Sequence, residues 1–229
     1  MSAILVTGFV PDAYPAKHLS TSECRDLGDR LADAAGDRLV AYEDPWLGCW
    51  AADLVRRHRV RLPSSRLLPT DRFESPEDHV RSNVVLLQRF QWLARAAAAH
   101  PEADTLAWVE WTVLKQNGVT PEVIRQFVAD LDRHPCRGIA APGCWPMSPI
   151  DDGEAHWRFV GSCLVVDRTC VHPLLTAIQT VASLRIALTG KISWDMNTLA
   201  YVELLGVLPF RWYAANHDET QFTRYAADL

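Results

Sequence analysis

Thr105-Leu-Ala-Trp-Val-Glu110-Trp-Thr-Val-Leu114 is an apolar run broken by one carboxylate, and its reading decides the fold. His100-Pro-Glu-Ala-Asp bounds it upstream and Gln116-Asn-Gly downstream, so the run predicts a buried central strand that ends where Glu110 meets the surface. Four apolar residues ahead of Glu110 imply a strand covered on both faces, the state of parallel strands in α/β sheets. A carboxylate at the mouth of such a strand is costly to desolvate without a cationic partner. In open α/β sheets the carboxyl ends of strands are also where ligands sit. The competing reading is a solvated glutamate at a strand end.

Working outward, the segment before this strand, residues 83–99, carries Val84, Leu87, Phe90, Leu93 and Ala94 at helical spacing and predicts an amphipathic helix. The chain begins with a short apolar strand over 3–8 stopped by Gly8, then a loop with two prolines. Ser20 followed by Glu23 is a capping box for a helix that Gly36 ends, and residues 38–44 predict a second strand. This opening is β-α-β, for which a right-handed crossover and parallel pairing are expected. Gly8 and the Glu43-Asp44 end are thereby placed side by side.

Beyond Glu110, Thr120-Pro-Glu-Val opens a helix with Val123, Phe127, Val128 and Leu131 facing the core. Residues 138–142 predict a short strand, 157–167 a longer one, and 173–188 a mostly apolar helix. A helix starts near Asp195, and Phe210-Arg-Trp-Tyr is the last strand. The pattern gives an α/β fold with a central, mostly parallel sheet flanked by helices. We expect one domain over 1–229, with a nucleotide-binding part over about 1–115 and an acceptor-side part over about 116–229.

The 229 residues are 48% hydrophobic and 22% charged, which suffices for a sizeable core. A formal charge of -5 argues against a surface built for nucleic acid, but charge is unevenly distributed: Arg56, Arg57, Arg59 and Arg61 form a local basic segment among prolines. Arginine forks there suit phosphate oxygens, of a pyrophosphate or a nucleic-acid backbone; a solvated, charge-balanced surface is the alternative. No apolar run nears the roughly 20 residues of a bilayer span and no signal peptide is apparent, so a cytoplasmic protein is expected. Cysteines 24, 49, 136, 144, 163 and 170 show no C-x-x-C pair and read as reduced thiols. Neither a P-loop nor a G-x-G-x-x-G motif is present, which weakens kinase and dehydrogenase readings. Arginine-rich, lysine-poor, alanine-rich usage suggests a bacterial or phage source.

The order of these pieces resembles the GT-A fold of nucleotide-sugar glycosyltransferases, a Rossmann-type α/β domain, over nearly the whole chain. In that family the first strand ends at the nucleotide, and a later strand ends in an Asp-x-Asp that holds a divalent metal, Mn or Mg, on the donor pyrophosphate. Here Glu110-Trp111-Thr112 stands at that place. One carboxylate and a hydroxyl make a poorer hard-cation site than two carboxylates.

The resemblance implies a donor side formed by Thr7, Gly8, Phe9, Asp44, Trp111, Thr112 and Lys191, and an acceptor side formed by Gly161, Ser162 and Trp194. It implies catalytic roles for Glu110 and Asp195, and His217 as a second metal ligand beside Glu110. The competing readings are a bulge at Gly161, a helix-stabilising Asp195 and a bystander His217. Asp195 is expected to face Glu110 across one cleft, with Trp194 offering a flat face to a sugar ring. Where the metal is weak, the Arg56–Arg61 segment or Lys191 would offset the charge of the departing diphosphate. Two further readings stand beside this one: a transferase acting on a hydroxymethylated base of viral DNA through the arginine segment, and a catalytically inactive nucleotide-binding protein.

Overall fold

The computed structural model describes residues 2–10, 19–43, 50–51, 76–150, 156–190 and 192–227, with backbone alone over 76–82. The strands are β1 (Ser2–Phe9), β2 (Leu39–Glu43), β3 (Ala103–Val109), β4 (Ile139–Gly143), β5 (Cys163–Asp167) and β6 (Phe210–Ala214). The helices are α1 (Thr21–Ala35), α2 (Pro76–Ala99), α3 (Pro121–Arg133), α4 (Arg168–Thr189), α5 (Asp195–Leu204) and the short α6 (Thr220–Thr223). The strands make one six-stranded sheet in the order β2-β1-β3-β5-β4-β6, and β5 alone runs against its neighbours. This is the expected mixed α/β architecture with a mostly parallel sheet.

The period of two along each strand divides the core. Leu5, Ala107, Val109, Val165 and Tyr213 point to the face covered by Leu27 and Leu31 of α1, Ile124, Phe127 and Leu131 of α3, and Phe222 of α6. Ile4, Val6, Leu106, Trp108, Leu164 and Val166 point to the other, covered by Leu87, Phe90 and Leu93 of α2, Leu174 and Ile178 of α4, and Leu199 of α5. Burial on both faces is why β1 and β3 read as continuous apolar runs.

Local chemistry sets the helix ends. The Ser20 hydroxyl accepts from the Glu23 amide at 3.2 Å and Glu23 accepts from the Ser20 amide at 2.6 Å, so the capping box forms as expected. Thr120 caps α3 with Pro121 at its first position. Ile124, not Val123, completes the buried face of α3, since Val123 and Val128 are half-buried.

Three expectations change. Helix α2 is not amphipathic: Asn83, Gln88 and Arg89 are as buried as its leucines, because α2 packs on the sheet and is flanked in the same layer by α4 and α5. The strand expected over 157–167 shortens to Cys163–Asp167. The β4–β5 ladder stops after Ala140↔Val165, and Pro142 cannot donate; its carbonyl instead takes the Val160 amide at 2.7 Å. Finally, α4, at 22 residues with a mean hydropathy of 1.3, reaches the length and apolarity of a bilayer-crossing helix. Val171, Leu174, Ile178, Val181, Ala182 and Ile186 turn one side of it into the core, while Leu184 and Leu188 face outward.

Candidate active site

The carboxyl ends of β1, β3, β4 and β6 lie at one edge of the sheet. Antiparallel β5 brings its entering segment, 156–162, to that same edge. Glu110 stands directly after β3, and its amide donates to the Ser162 carbonyl at 2.9 Å, which fixes the strand end against the segment entering β5. Its side chain is 19% exposed, so it meets solvent without lying open. The buried Thr112 hydroxyl donates to Glu110 Oε1 at 3.0 Å, and Lys115 Nζ stands 3.9 Å from the same oxygen. The Glu110-Trp111-Thr112 triplet thus works as one oriented carboxylate, with Thr112 holding it.

Behind Glu110 is a buried ion pair. Arg89 Nη2 meets Asp195 Oδ2 at 2.7 Å with both side chains 1% exposed, and Arg89 Nη1 donates to the Gly161 carbonyl. One guanidinium thereby joins α2, the first turn of α5 and the segment before β5. Burial pushes the Asp195 carboxyl above the usual carboxylate range, opposed by Arg89 and the Met196 amide, while nearby Glu110 adds to the rise. Burial likewise lowers Arg89, opposed by Asp195 and Glu110. Arg89 holds the Gly161 carbonyl and the Glu110 amide takes that of Ser162, so the ion pair and Glu110 are anchored on adjacent residues of one segment. A methyl on Gly161 would lie 3.5 Å from Arg89 Nη1, 3.6 Å from Met196 Sδ and 3.8 Å from Asp195 Oδ2, ordinary contact distances.

On the solvent side, the His217 ring lies edge-on to Trp157 with centroids 4.8 Å apart. The residue is exposed on one side, yet lost solvation outweighs Glu110 and Asp218 and brings its pKa below the ordinary histidine value. As a cation site this donor set fits poorly. Glu110 already engages Thr112 and Lys115, and among the described residues no three His, Cys, Asp or Glu side chains converge.

The remaining expected residues have defined places. Thr7 is fully buried in β1. Gly8 pairs with Tyr42, so the ends of β1 and β2 do adjoin, but a Cβ at Gly8 would stand 2.3 Å from the Trp92 ring. That glycine therefore makes room for Trp92, which stacks between Tyr42 and Trp108. Phe9 is buried and stacks on Trp111 at 5.5 Å, and Trp111 donates to the Cys24 carbonyl at 2.7 Å, which ties the pair to α1.

On the acceptor side, the Ser162 hydroxyl is buried and donates to Gln221 Oε1 at 2.8 Å, so it is committed to the fold. Trp194 offers no open face to a sugar; it is buried with Met196 against Leu86 and Trp157, since burying that ring is worth more than exposing it. Asp195 is not the N-cap of α5, which is Trp194, and its partner is Arg89. Asp44, Lys191, Arg56, Arg57, Arg59 and Arg61 lie outside the described residues.

Sequence reasoning missed Arg89. Its helical neighbours at three and four residues are Val85, Leu86, Trp92 and Leu93, all apolar, and an arginine ringed in this way must be buried and paired. It also missed the struts behind the segment entering β5. Arg158 donates to both oxygens of Glu203, at 2.9 and 2.7 Å, and the His156 amide donates to Asn197 Oδ1 at 2.8 Å.

No protein-family model matches the chain, and no curated protein matches its sequence. Among solved structures the chain is similar to one described as the crystal structure of a glycosyltransferase involved in the glycosylation of the major capsid of PBCV-1. The identity is 12%, the match covers 94% of this chain and 82% of that one, and the TM-score is 0.50. At this identity the likeness carries the fold alone, a six-stranded α/β sheet with flanking helices.

Proposed function

We propose that the chain is a glycosyltransferase of the GT-A type that moves a sugar from a nucleotide-sugar donor to a hydroxyl acceptor. The observation that carries this reading is Glu110, one oriented and partly accessible carboxylate at the carboxyl end of the central strand, where ligands of open α/β sheets sit. The fold likeness to a capsid-glycosylating enzyme supports it.

In the proposed reaction the acceptor hydroxyl loses its proton to Glu110 as its oxygen forms a bond to the anomeric carbon. The bond from that carbon to the diphosphate oxygen breaks, and its electron pair leaves with the nucleoside diphosphate. Lys115, beside Glu110, offsets charge developing on the diphosphate. The donor set around Glu110, already engaged by Thr112 and Lys115, fits a metal poorly. Arg89 and Asp195 are positioning residues: they touch no substrate and hold the Gly161 carbonyl, and with it the Ser162 carbonyl to which the Glu110 amide is tied.

The test is a panel of nucleoside diphosphate sugars, each followed by thermal shift and by release of nucleoside diphosphate with a mixed glycoside acceptor. A stabilising donor is expected; at about 100 times its Kd it adds about 2.7 kcal/mol. Glu110→Gln should bind that donor while turnover falls by about 100-fold or more. Unchanged turnover in this variant removes Glu110 from the chemistry. A donor that stabilises the protein with no release of nucleoside diphosphate leaves the inactive nucleotide-binding reading in its place, and a panel without any stabilising donor, in a well-folded sample, overturns both.

A further inference from the structure

Two large apolar side chains are exposed together directly beyond the end of β4, Trp145 at 45% and Met147 beside it at 40%, and a joined exposed apolar patch is a candidate binding surface. Around it, Trp157 is half-buried with His217 edge-on at 4.8 Å, and the His156 ring stands edge-on to Trp145 at 6.2 Å. These residues come from the β4–β5 segment and the segment after β6. Trp157 lies in the same segment as Ser162, whose carbonyl takes the Glu110 amide.

The exposure does not come from a loose loop. The Trp157 carbonyl accepts from the amides of Cys144 and Trp145, both at 3.1 Å. Trp212 Nε1 donates to the Arg158 carbonyl at 3.0 Å, and Arg158 is clamped by Glu203. The backbone that carries the two indoles is therefore held in place before any partner arrives, which lowers the ordering cost on binding.

The charge around them narrows the occupant. In the described segments 144–150, 156–162 and 215–219 the only Arg or Lys is Arg158, which is buried and already paired, whereas Asp218 and Glu219 are acidic. A polyanion would find no uncommitted arginine or lysine in these segments and would meet two carboxylates. A neutral ring with a patch of C–H groups on one face and hydroxyls at its rim suits the surface better. The C–H face covers indole, and the hydroxyls reach Asn216, His217 and Asp218.

Resting on the glycosyltransferase reading, we propose that Trp145 and Trp157 form the acceptor platform and that the acceptor is a carbohydrate, not a nucleic acid. The test uses saturation-transfer NMR with methyl glycosides of glucose, galactose, mannose, xylose and fucose, and fluorescence anisotropy with a labelled single-stranded oligonucleotide. It compares the wild type with Trp145→Ala and, as a milder change, Trp145→Phe. Trp145→Phe should melt close to the wild type, and Trp145→Ala, which gives up the buried part of a side chain 45% exposed, should melt somewhat below it while still folding cooperatively.

At least one glycoside is expected to receive saturation on its ring C–H protons. Trp145→Ala should weaken its binding by about tenfold, the loss typical of an anchoring tryptophan, while Trp145→Phe retains most of it. The thermal shift given by the donor should not change in either variant. Absence of any glycoside signal, equal signals in all three proteins, or oligonucleotide binding lost in Trp145→Ala would each overturn the proposal. If glycosides bind through Trp145 while no nucleotide sugar stabilises the protein, the carbohydrate site stands and the transferase reading falls.

Discussion

Asp195→Asn separates two accounts of this residue most sharply. Were Asp195 only a favourable group at a helix start, asparagine would serve about as well and stability would hardly move. The structure pairs it with Arg89 at 2.7 Å, both side chains 1% exposed, so the substitution strands a buried guanidinium. Removing one partner of such a pair costs about 3–5 kcal/mol. For a chain of this size, at about 2–4 °C per kcal/mol, that is a fall of about 6–20 °C in Tm.

Arg89→Met should behave differently, because the residue left behind can take up a proton. Burial already raises the Asp195 carboxyl and Arg89 opposes that rise, so without Arg89 its folded pKa climbs further. A carboxyl whose folded pKa lies above its unfolded one favours the folded state at low pH, and this contribution is lost as pH rises through the folded value. Arg89→Met should therefore lose less stability at pH 5 than at pH 8, whereas Asp195→Asn should lose similar amounts at both. Calorimetry of the wild type, both single variants and the double variant at the two pH values completes the cycle. The double should be more stable than the sum of the single losses implies, by about 1–3 kcal/mol. An Asp195→Asn protein melting within about 2 °C of wild type, on the scale of about 2–4 °C per kcal/mol, would refute the reasoning.

Gly8→Ala, whose new methyl would start 2.3 Å from the Trp92 ring, should lower the urea midpoint through a loss of about 1–3 kcal/mol, and an unshifted midpoint would show that Trp92 has room to move. Gly161→Ala meets only ordinary contacts of 3.5 Å and beyond, so its stability should match wild type; a large loss would contradict the placement of Arg89 and Met196. Burial and Arg158 lower the pKa of His156 below the ordinary value, so the unfolded chain binds a proton there more readily than the folded one. Stability should thus fall as pH drops from about 7 through the unfolded value near 6.5, less steeply in His156→Gln, and equal slopes of Tm against pH would count against this. Prolonged EDTA treatment should leave donor affinity within about twofold if Glu110 holds no ion, while a metal-restored loss would return Glu110 and His217 to a ligand role.

The fold was legible where one rule governed a stretch. Alternating burial on both faces made the β3 run continuous, and the Ser20–Glu23 box and the Thr120-Pro121 start marked helix ends without tertiary help. The segment over 157–167 misled because it is mostly apolar, and what ends the strand is the missing amide of a proline in another strand, Pro142. At the site, Glu110 could be read from its place after the apolar run. The burial of Trp194 and the commitment of Ser162 to Gln221 depend on contacts distant in sequence. Arg89 was readable in principle, as a charge among apolar helical neighbours, but its partner lies far along the chain and no periodicity points to it.

Antiparallel β5 has an evolutionary corollary. A connection between parallel neighbours has to cross back over the sheet and is tied to a packed helix, whereas the link from β4 to β5 leaves and re-enters at the same edge. Its outer part, residues 144–150 with Trp145 and Met147, can therefore change in composition without passing over either helical layer. Residues 156–162 are different: His156 and Arg158 are tied to α5, Gly161 to Arg89 of α2, and Ser162 to Gln221 of α6 and to the Glu110 amide. Redirecting this protein to a new acceptor would thus mean exchanging the outer part while keeping 156–162, the frame on which Glu110 depends.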